Sequence, residues 1–239
     1  MRTAGIILAG GLGTRIRSIH PDKPKPMIPV AGKPFLEWVI RYLAHFGVTE
    51  IIVSSGYMGD QISAYFANME TGCRLVFNRE KEQLGTGGAV AYCAPLLQNI
   101  ERILVVNGDS LVLADIHTML KTHEEKRADI SIATIIVDDP ERYGGVADRD
   151  GWIYAFEEKG GKNPQINGGV YIFNREMLKY FPDERPLSLE TTVFPALIGK
   201  GYRLAAFRSK AHFLDIGTPE SLRFADEFVV EHLKPLLAI

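Results

Sequence analysis

The feature that most constrains this fold is an alternation. Over the first 137 residues, short apolar runs of strand length trade places with segments whose apolar residues recur at helical spacing. Residues 3–8, 50–54, 74–77, 102–106 and 128–137 read as strands, and residues 34–46, 59–66 and 86–97 as helices. In the helix over 34–46, Phe35, Leu36, Val39, Ile40 and Leu43 form an apolar face, and Glu37, Arg41 and His45 a polar one. Asp115 is placed to cap a further helix that carries Ile116, Met119, Leu120 and His123 on one side. Strands such as "ILVV" at 103–106 have no polar face, the pattern of a strand covered on both sides. The expected class is therefore α/β, with a mostly parallel central sheet clad in helices.

The rhythm changes after Pro140. Three strand-like pieces, 144–148, 152–157 and 165–173, follow one another closely and read as an antiparallel insert in the second half. Residues 188–199 read as a helix and 202–207 as a strand. In "DIGTPE", Thr218 can cap a helix with Pro219 in its first position, running to about residue 233. With no repeat, low-complexity tract or flexible linker, residues 1–239 read as a single domain with an elaborated second half.

A net charge of −2 argues against a chain that coats nucleic acid or an anionic membrane. Cys73 and Cys93 have neither metal-type spacing nor the number for a disulfide framework. The apolar run before the glycines is too short for a signal peptide, and no run reaches the roughly 18 apolar residues of a membrane span. A soluble, cytoplasmic protein is expected, with homo-oligomerisation left open.

The stretch "GIILAGGLGTRIRSIHPDKPKPMIPV", residues 5–30, gives the first chemical lead. A strand stops at Ala9, Gly10, Gly11 and Gly13 follow, and then come Arg15, Arg17, Lys23 and Lys25. Ligands of an open parallel sheet collect where strands end, and a glycine turn there can aim backbone N–H groups at an anion. Neither familiar phosphate loop is present. The dinucleotide fingerprint needs a glycine where Ile16 stands, and the P-loop needs one at Arg15. Pro21, Pro24 and Pro26 keep the cations on a stiff extended loop, for which a polyphosphate is the natural counter-ion.

"LAGGLGTRIR…KPKPMIPVAGKPFL" resembles the signature of the sugar-1-phosphate nucleotidylyltransferases, LAGG-x-GTR followed by PKP. The similarity continues in order through "LGTGGA", "VNGDS", "FEEK", "INGGVYIF" and "DIGTPE", so it covers nearly the whole chain. Its nearest subgroup is the D-glycero-D-manno-heptose 1-phosphate guanylyltransferases, with the mannose-1-phosphate enzymes next. Two positions depart from the usual pattern: Ser18, where many members carry proline, and "INGG", where N-A-G or N-T-G is commoner. The resemblance implies a Rossmann-like, three-layer α/β/α sandwich of GT-A type. Residues 1–137 would mainly bind nucleotide, and 138–239 mainly sugar phosphate.

It also implies the reaction: a nucleoside triphosphate, GTP in preference, and a sugar 1-phosphate of heptose or mannose type give an NDP-sugar and pyrophosphate, with Mg²⁺. UTP, dTTP or CTP forms share the scaffold, and a nucleotide-sugar-sensing regulatory subunit would share the pocket without turnover. Such a subunit can lose the lysine or a metal carboxylate, whereas here Arg15, Lys25, Asp109 and Asp215 are all present. By the same resemblance, Leu8, Ala9, Gly10, Gly11, Gly13, Thr14 and Arg15 cradle the nucleotide, together with Gly85, Thr86, Gly87, Asn107 and Gly108. Arg15 would clamp the departing phosphates, and Lys25 would reach the α-phosphate and the incoming one.

Asp109 and Asp215 each close an apolar run, as ordinary turn aspartates also do. At two strand ends of one crevice they would make an oxygen site for Mg²⁺, matching the family's metal pair. Arg15, Lys25 and Asp109 are thus the expected catalytic set. For the sugar phosphate, Gly145 offers a bare amide, Glu158, Asn167 and Glu190 hydrogen-bonding groups, and Lys159 a cation. Lys23 and Arg17 read as surface charges, with Arg17 within reach of the triphosphate. Trp38, Trp152, Phe173 and Phe213 read as core.

Overall fold

The computed structural model describes residues 2–17, 19–157 and 159–239. The alternation becomes β1 (Thr3–Ala9), a small hairpin β2 (Pro29–Val30) and β3 (Lys33–Pro34), α1 (Phe35–His45), β4 (Glu50–Ser55), α2 (Gly59–Phe66), β5 (Arg74–Arg79) and α3 (Gly85–Cys93). Then follow β6 (Arg102–Asn107), β7 (Ser110–Val112), α4 (Ile116–Lys126) and β8 (Ile130–Ile136). Asp115 caps α4 as expected, its Oδ1 accepting the Thr118 N–H at 2.9 Å.

The second half contributes β9 (Gly145–Arg149), β10 (Trp152–Glu157) and β11 (Gln165–Asn174). A π-helical turn, Leu189–Val193, leads into α5 (Phe194–Gly199), followed by β12 (Leu204–Ser209) and β13 (Phe213–Asp215). The chain ends in short helical pieces, α6 (Pro219–Leu222), α7 (Ala225–Phe228), the π turn Val229–Leu233 and α8 (Lys234–Leu237). Thr218 caps α6 in a capping box with Ser221. The single C-terminal helix expected from sequence is therefore broken. Pro235, which has no N–H to give an interior turn, stands two residues past the π turn.

Nine strands form one sheet in the order β5-β4-β1-β6-β11-β8-β12-β10-β9. The first four are parallel. β11 runs antiparallel to both β6 and β8, β12 is parallel to β8, and β10 is antiparallel to β12 and β9. The sheet is thus mixed, not mostly parallel, and the three late pieces run antiparallel to their neighbours within it, as read from the sequence. β9 and β10 extend one edge, while β11 lies in the middle. Its residues Val170–Phe173 are buried, as a strand between two neighbours and under two layers must be.

Strand residues alternate between two cores. Ile7 and Ala9 pack with α1, α2, α4 and the C-terminal pieces; Ala4 and Ile6 pack with α3 and α5. Trp38 and Phe173 are core as read. Trp152 instead lies under the cations of Arg203 and Lys126, and Phe213 lines a cavity. Glu37, assigned to the polar face of α1, is buried, its carboxylate accepting from Lys33, Arg41 and Tyr65. Among the described residues no helix is long and apolar enough to cross a membrane.

Candidate active site

Register gathers the loops. Leu8 pairs with Ser54 and with Asn107, and Ser55 pairs with Arg79 at the end of β5. The chain therefore leaves β1, β5 and β6 at one edge, at Gly10, Glu80 and Gly108 respectively. β11 returns antiparallel to β6, so its amino end reaches the same edge. Gly169 makes that approach with φ +74°, and a Cβ there would lie 2.9 Å from the Asn107 amide carbon.

A cavity of about 280 Å³ at this edge is lined by Leu8, Gly10, Gly11, Gly85, Thr86 and Asn107, all assigned from sequence to the nucleotide. Glu80 and Gln83, which sequence reasoning missed, line it too. Glu80 directly follows β5, so the strand-end rule that selected Asp109 would have selected it. Its Oε1 accepts the Ser54 hydroxyl at 2.9 Å, and a Cβ on Gly10 would come within 2.6 Å of the same oxygen. Burial pushes the Glu80 carboxyl above the ordinary range, partly offset by hydrogen bonds from Ser54 and the Leu84 N–H.

Beside it, a cavity of about 160 Å³ is lined by Arg15, Lys25, Asp109 and Asp215 together. Lys25 opens a short 3-10 turn flanked by Pro24 and Pro26, and its largely buried ammonium lies 2.6 Å from Asp109 Oδ2. Asp215 reaches Asp109 because β13 pairs with β7, Asp215 opposite Ser110, and the Ile216 N–H donates to the Asp109 carbonyl at 3.0 Å. Asp215 Oδ1 accepts the Gly217 N–H at 2.6 Å, and Oδ2 accepts from the Tyr143 hydroxyl at 2.8 Å and Arg142 Nη2 at 3.3 Å. Burial and the Asp215 charge together raise the Tyr143 hydroxyl's pKa. Arg142 and Tyr143, which stand just before Gly144 and Gly145, carry no signal of their own in the sequence.

With Lys159 and Arg142, the cavity has four cationic side chains against two carboxylates. That excess of positive charge suits a polyanion. Among the described residues no three His, Cys, Asp or Glu side chains gather into a metal cluster. Two hard carboxylates on one wall of an anion cavity fit an oxygen-loving divalent cation whose remaining ligands are phosphate and water.

A third pocket, of about 590 Å³, is lined by Gly145, Lys159, Asn167 and Glu190, with Phe156 as an apolar wall. Glu158 lies outside the described residues. Asn107 lines all three cavities, so they form one cleft.

Five residues expected at the nucleotide line none of these cavities. Ala9 is buried in the strand end. Gly13 and Thr14 lie in the loop that carries Arg15, where a Cβ on Gly13 would sit 2.9 Å from Lys25 Cβ. Gly108 is buried and gives its N–H to the Leu8 carbonyl at 2.9 Å. Gly87 turns inward, donating to the Leu187 carbonyl at 2.8 Å. Its bare Cα admits the segment 187–193 rather than a base. Arg17 donates to the Tyr57 hydroxyl and stacks over its ring, and Lys23 lines a separate surface cavity with Lys33.

Residues 4–232 match the family model described as nucleotidyl transferase. The D-glycero-alpha-D-manno-heptose 1-phosphate guanylyltransferase of Aneurinibacillus thermoaerophilus is 38% identical over 93% of this chain and 96% of its own length. The mannose-1-phosphate guanylyltransferase of Mycobacterium tuberculosis is 34% identical over 98% of this chain, which spans 66% of that protein. The crystal structure of HddC from Yersinia pseudotuberculosis complexed with GMP-PN superposes with a TM-score of 0.82 at 34% identity, covering 95% of this chain and 99% of that one. On a match of that extent, the chain belongs to the nucleotidyl transferase family.

Proposed function

We propose that this protein joins GTP to a sugar 1-phosphate of heptose or mannose type, giving a GDP-sugar and pyrophosphate. The observation that carries the reading is a single cavity lined by Arg15, Lys25, Asp109 and Asp215, joined through Asn107 to a cavity of nucleoside size and to the larger pocket lined by Gly145, Lys159, Asn167 and Glu190. Glu80 favours guanine. That base presents two N–H donors side by side on its pairing edge, and a carboxylate accepts both. The names of the matched guanylyltransferases support the same base.

In this reading a phosphate oxygen of the sugar attacks the α-phosphorus. A new P–O bond forms as the bond to the bridging oxygen of the β-phosphate breaks, and pyrophosphate leaves with the electron pair. Two polyanions repel, so positioning and charge stabilisation carry the catalysis and no protein nucleophile is required. Arg15 clamps the departing phosphates with its planar fork. Lys25 moves from Asp109, whose side chain is 42% exposed, to the charge building between the reacting phosphates. Lys159 and Arg142 hold the phosphate of the sugar. Asp109 and Asp215 would hold Mg²⁺, which when bound neutralises charge on the phosphate oxygens.

Residues 1–239 act as one cytoplasmic nucleotidyltransferase domain on a three-layer α/β/α, GT-A-like scaffold, the first 137 residues serving mainly the nucleotide. The family match over 4–232 supports a single unit. The test is pyrophosphate release from GTP, ATP, UTP, dTTP and CTP, each against a panel of sugar 1-phosphates. GTP with a heptose or mannose 1-phosphate should give the highest kcat/KM. Preference for another triphosphate would move the assignment, and no release from any pair would end it.

A further inference from the structure

The Glu190 carboxylate stands where the nucleoside cavity meets the sugar pocket, and its oxygens are already in use. Oε1 accepts from the Tyr171 hydroxyl at 2.9 Å and from Asn167 Nδ2 at 3.3 Å. Oε2 accepts from the hydroxyls of Ser188 at 3.1 Å and Thr86 at 3.2 Å. A carboxylate offers about four acceptor sites, so four donors leave none for a sugar hydroxyl. The donors are fixed in turn. Thr86 Oγ1 accepts the Leu189 N–H at 2.8 Å, which aims its own hydrogen elsewhere. Asn167 Oδ1 accepts the Gly169 N–H at 3.0 Å, and its Nδ2 also donates to the Tyr171 hydroxyl at 2.8 Å. Tyr171 is fully buried and lines none of the three cavities.

We propose that Glu190 reads no substrate and is a positioning residue: with Tyr171 it braces Thr86, on the nucleoside side, against Asn167, on the sugar-phosphate side. The inference rests on the assignment of those two subsites in the proposed reaction. Because a filled carboxylate in a partly buried network has no spare valence, its removal frees both walls at once. Direct sugar contact would loosen only one.

The two roles separate in steady-state kinetics. Glu190→Ala should raise KM for both GTP and the sugar phosphate. Glu190→Gln should be milder, since its oxygen still serves Tyr171 and Asn167 while the two hydroxyls can rotate to accept from its NH₂ group. Tyr171→Phe, which touches no substrate, should raise the sugar-phosphate KM by roughly tenfold, the scale of a lost hydrogen bond to a charged group. The GTP KM should stay within about twofold, and the double variant with Glu190→Ala should be less than additive. Mere loss of folded protein would lower kcat per chain and leave both KM values alone. A sugar-only effect of Glu190→Ala combined with wild-type KM values for Tyr171→Phe would overturn the brace. Calorimetric titration of GTP and of mannose 1-phosphate into the same variants tests it without turnover. If the wild-type protein released no pyrophosphate, the assigned reaction would fail while the brace could still be judged.

Discussion

At the scale of single residues, the proposed reaction draws on charges that the cleft holds in pairs until a polyanion claims them. Lys25 rests on Asp109, and Arg142 and Tyr143 rest on Asp215. Asp109→Asn should weaken both the lysine's anchor and the proposed Mg²⁺ site, so half-maximal activity should need more Mg²⁺; an unchanged Mg²⁺ titration would remove Asp109 from that role. Glu80 makes a pH-dependent prediction. Its carboxyl is pushed upward by burial, so as pH falls it takes a proton above the ordinary carboxylate range and loses an acceptor. The GTP KM should therefore rise on mild acidification. Glu80→Gln should raise it by roughly 10-fold or more at neutral pH and flatten that dependence, with the ATP KM little changed. Arg15, Asp109 and Asp215 were legible because each follows a glycine turn or closes an apolar run, and Lys25 because it stands in the PKP run of the family signature. Arg142 and Tyr143 were not, because their role lies in a contact with Asp215 that no local pattern encodes.

At the scale of elements, caps and apolar stripes were readable and neighbours were not. Asp115 and Thr218 start their helices where the sequence places them. Residues 165–173 read as one strand of an antiparallel insert, yet nothing in their period said that β11 would slot between β6 and β8. Periodicity reports burial of a face and is silent on partners. The same gap explains Gly87. "GTGG" read as bare backbone offered to a base, whereas Gly87 and Gly88 both give their N–H groups to the Leu187 carbonyl. A Cβ on Gly87 would lie 2.9 Å from Val193 Cγ2 and 3.2 Å from the Leu187 carbonyl oxygen. Gly87→Ala should therefore overpack the contact between α3 and the 187–193 segment and destabilise the fold by about 1–3 kcal/mol. Urea unfolding at a lower midpoint checks this, and an unshifted midpoint would show that the segment gives way freely.

At the scale of the molecule, the two halves of the sequence are interleaved in one sheet, with β11 of the second half separating β6 from β8 of the first. This interleaving makes one cleft out of loops that are distant in sequence. It brings the glycine loop, the lysine turn and the β7–β13 pair to a common edge, where cations outnumber carboxylates. The order of motifs along the chain was visible from the start; the strand order that unites them was not. The most direct measurement is pyrophosphate release from GTP at saturating mannose or heptose 1-phosphate, wild type against Lys25→Ala. The account predicts release that depends strictly on the sugar phosphate and a kcat lower by roughly 10²–10³ in the variant, the scale of one lost electrostatic stabiliser. A variant with near-wild-type kcat would contradict it.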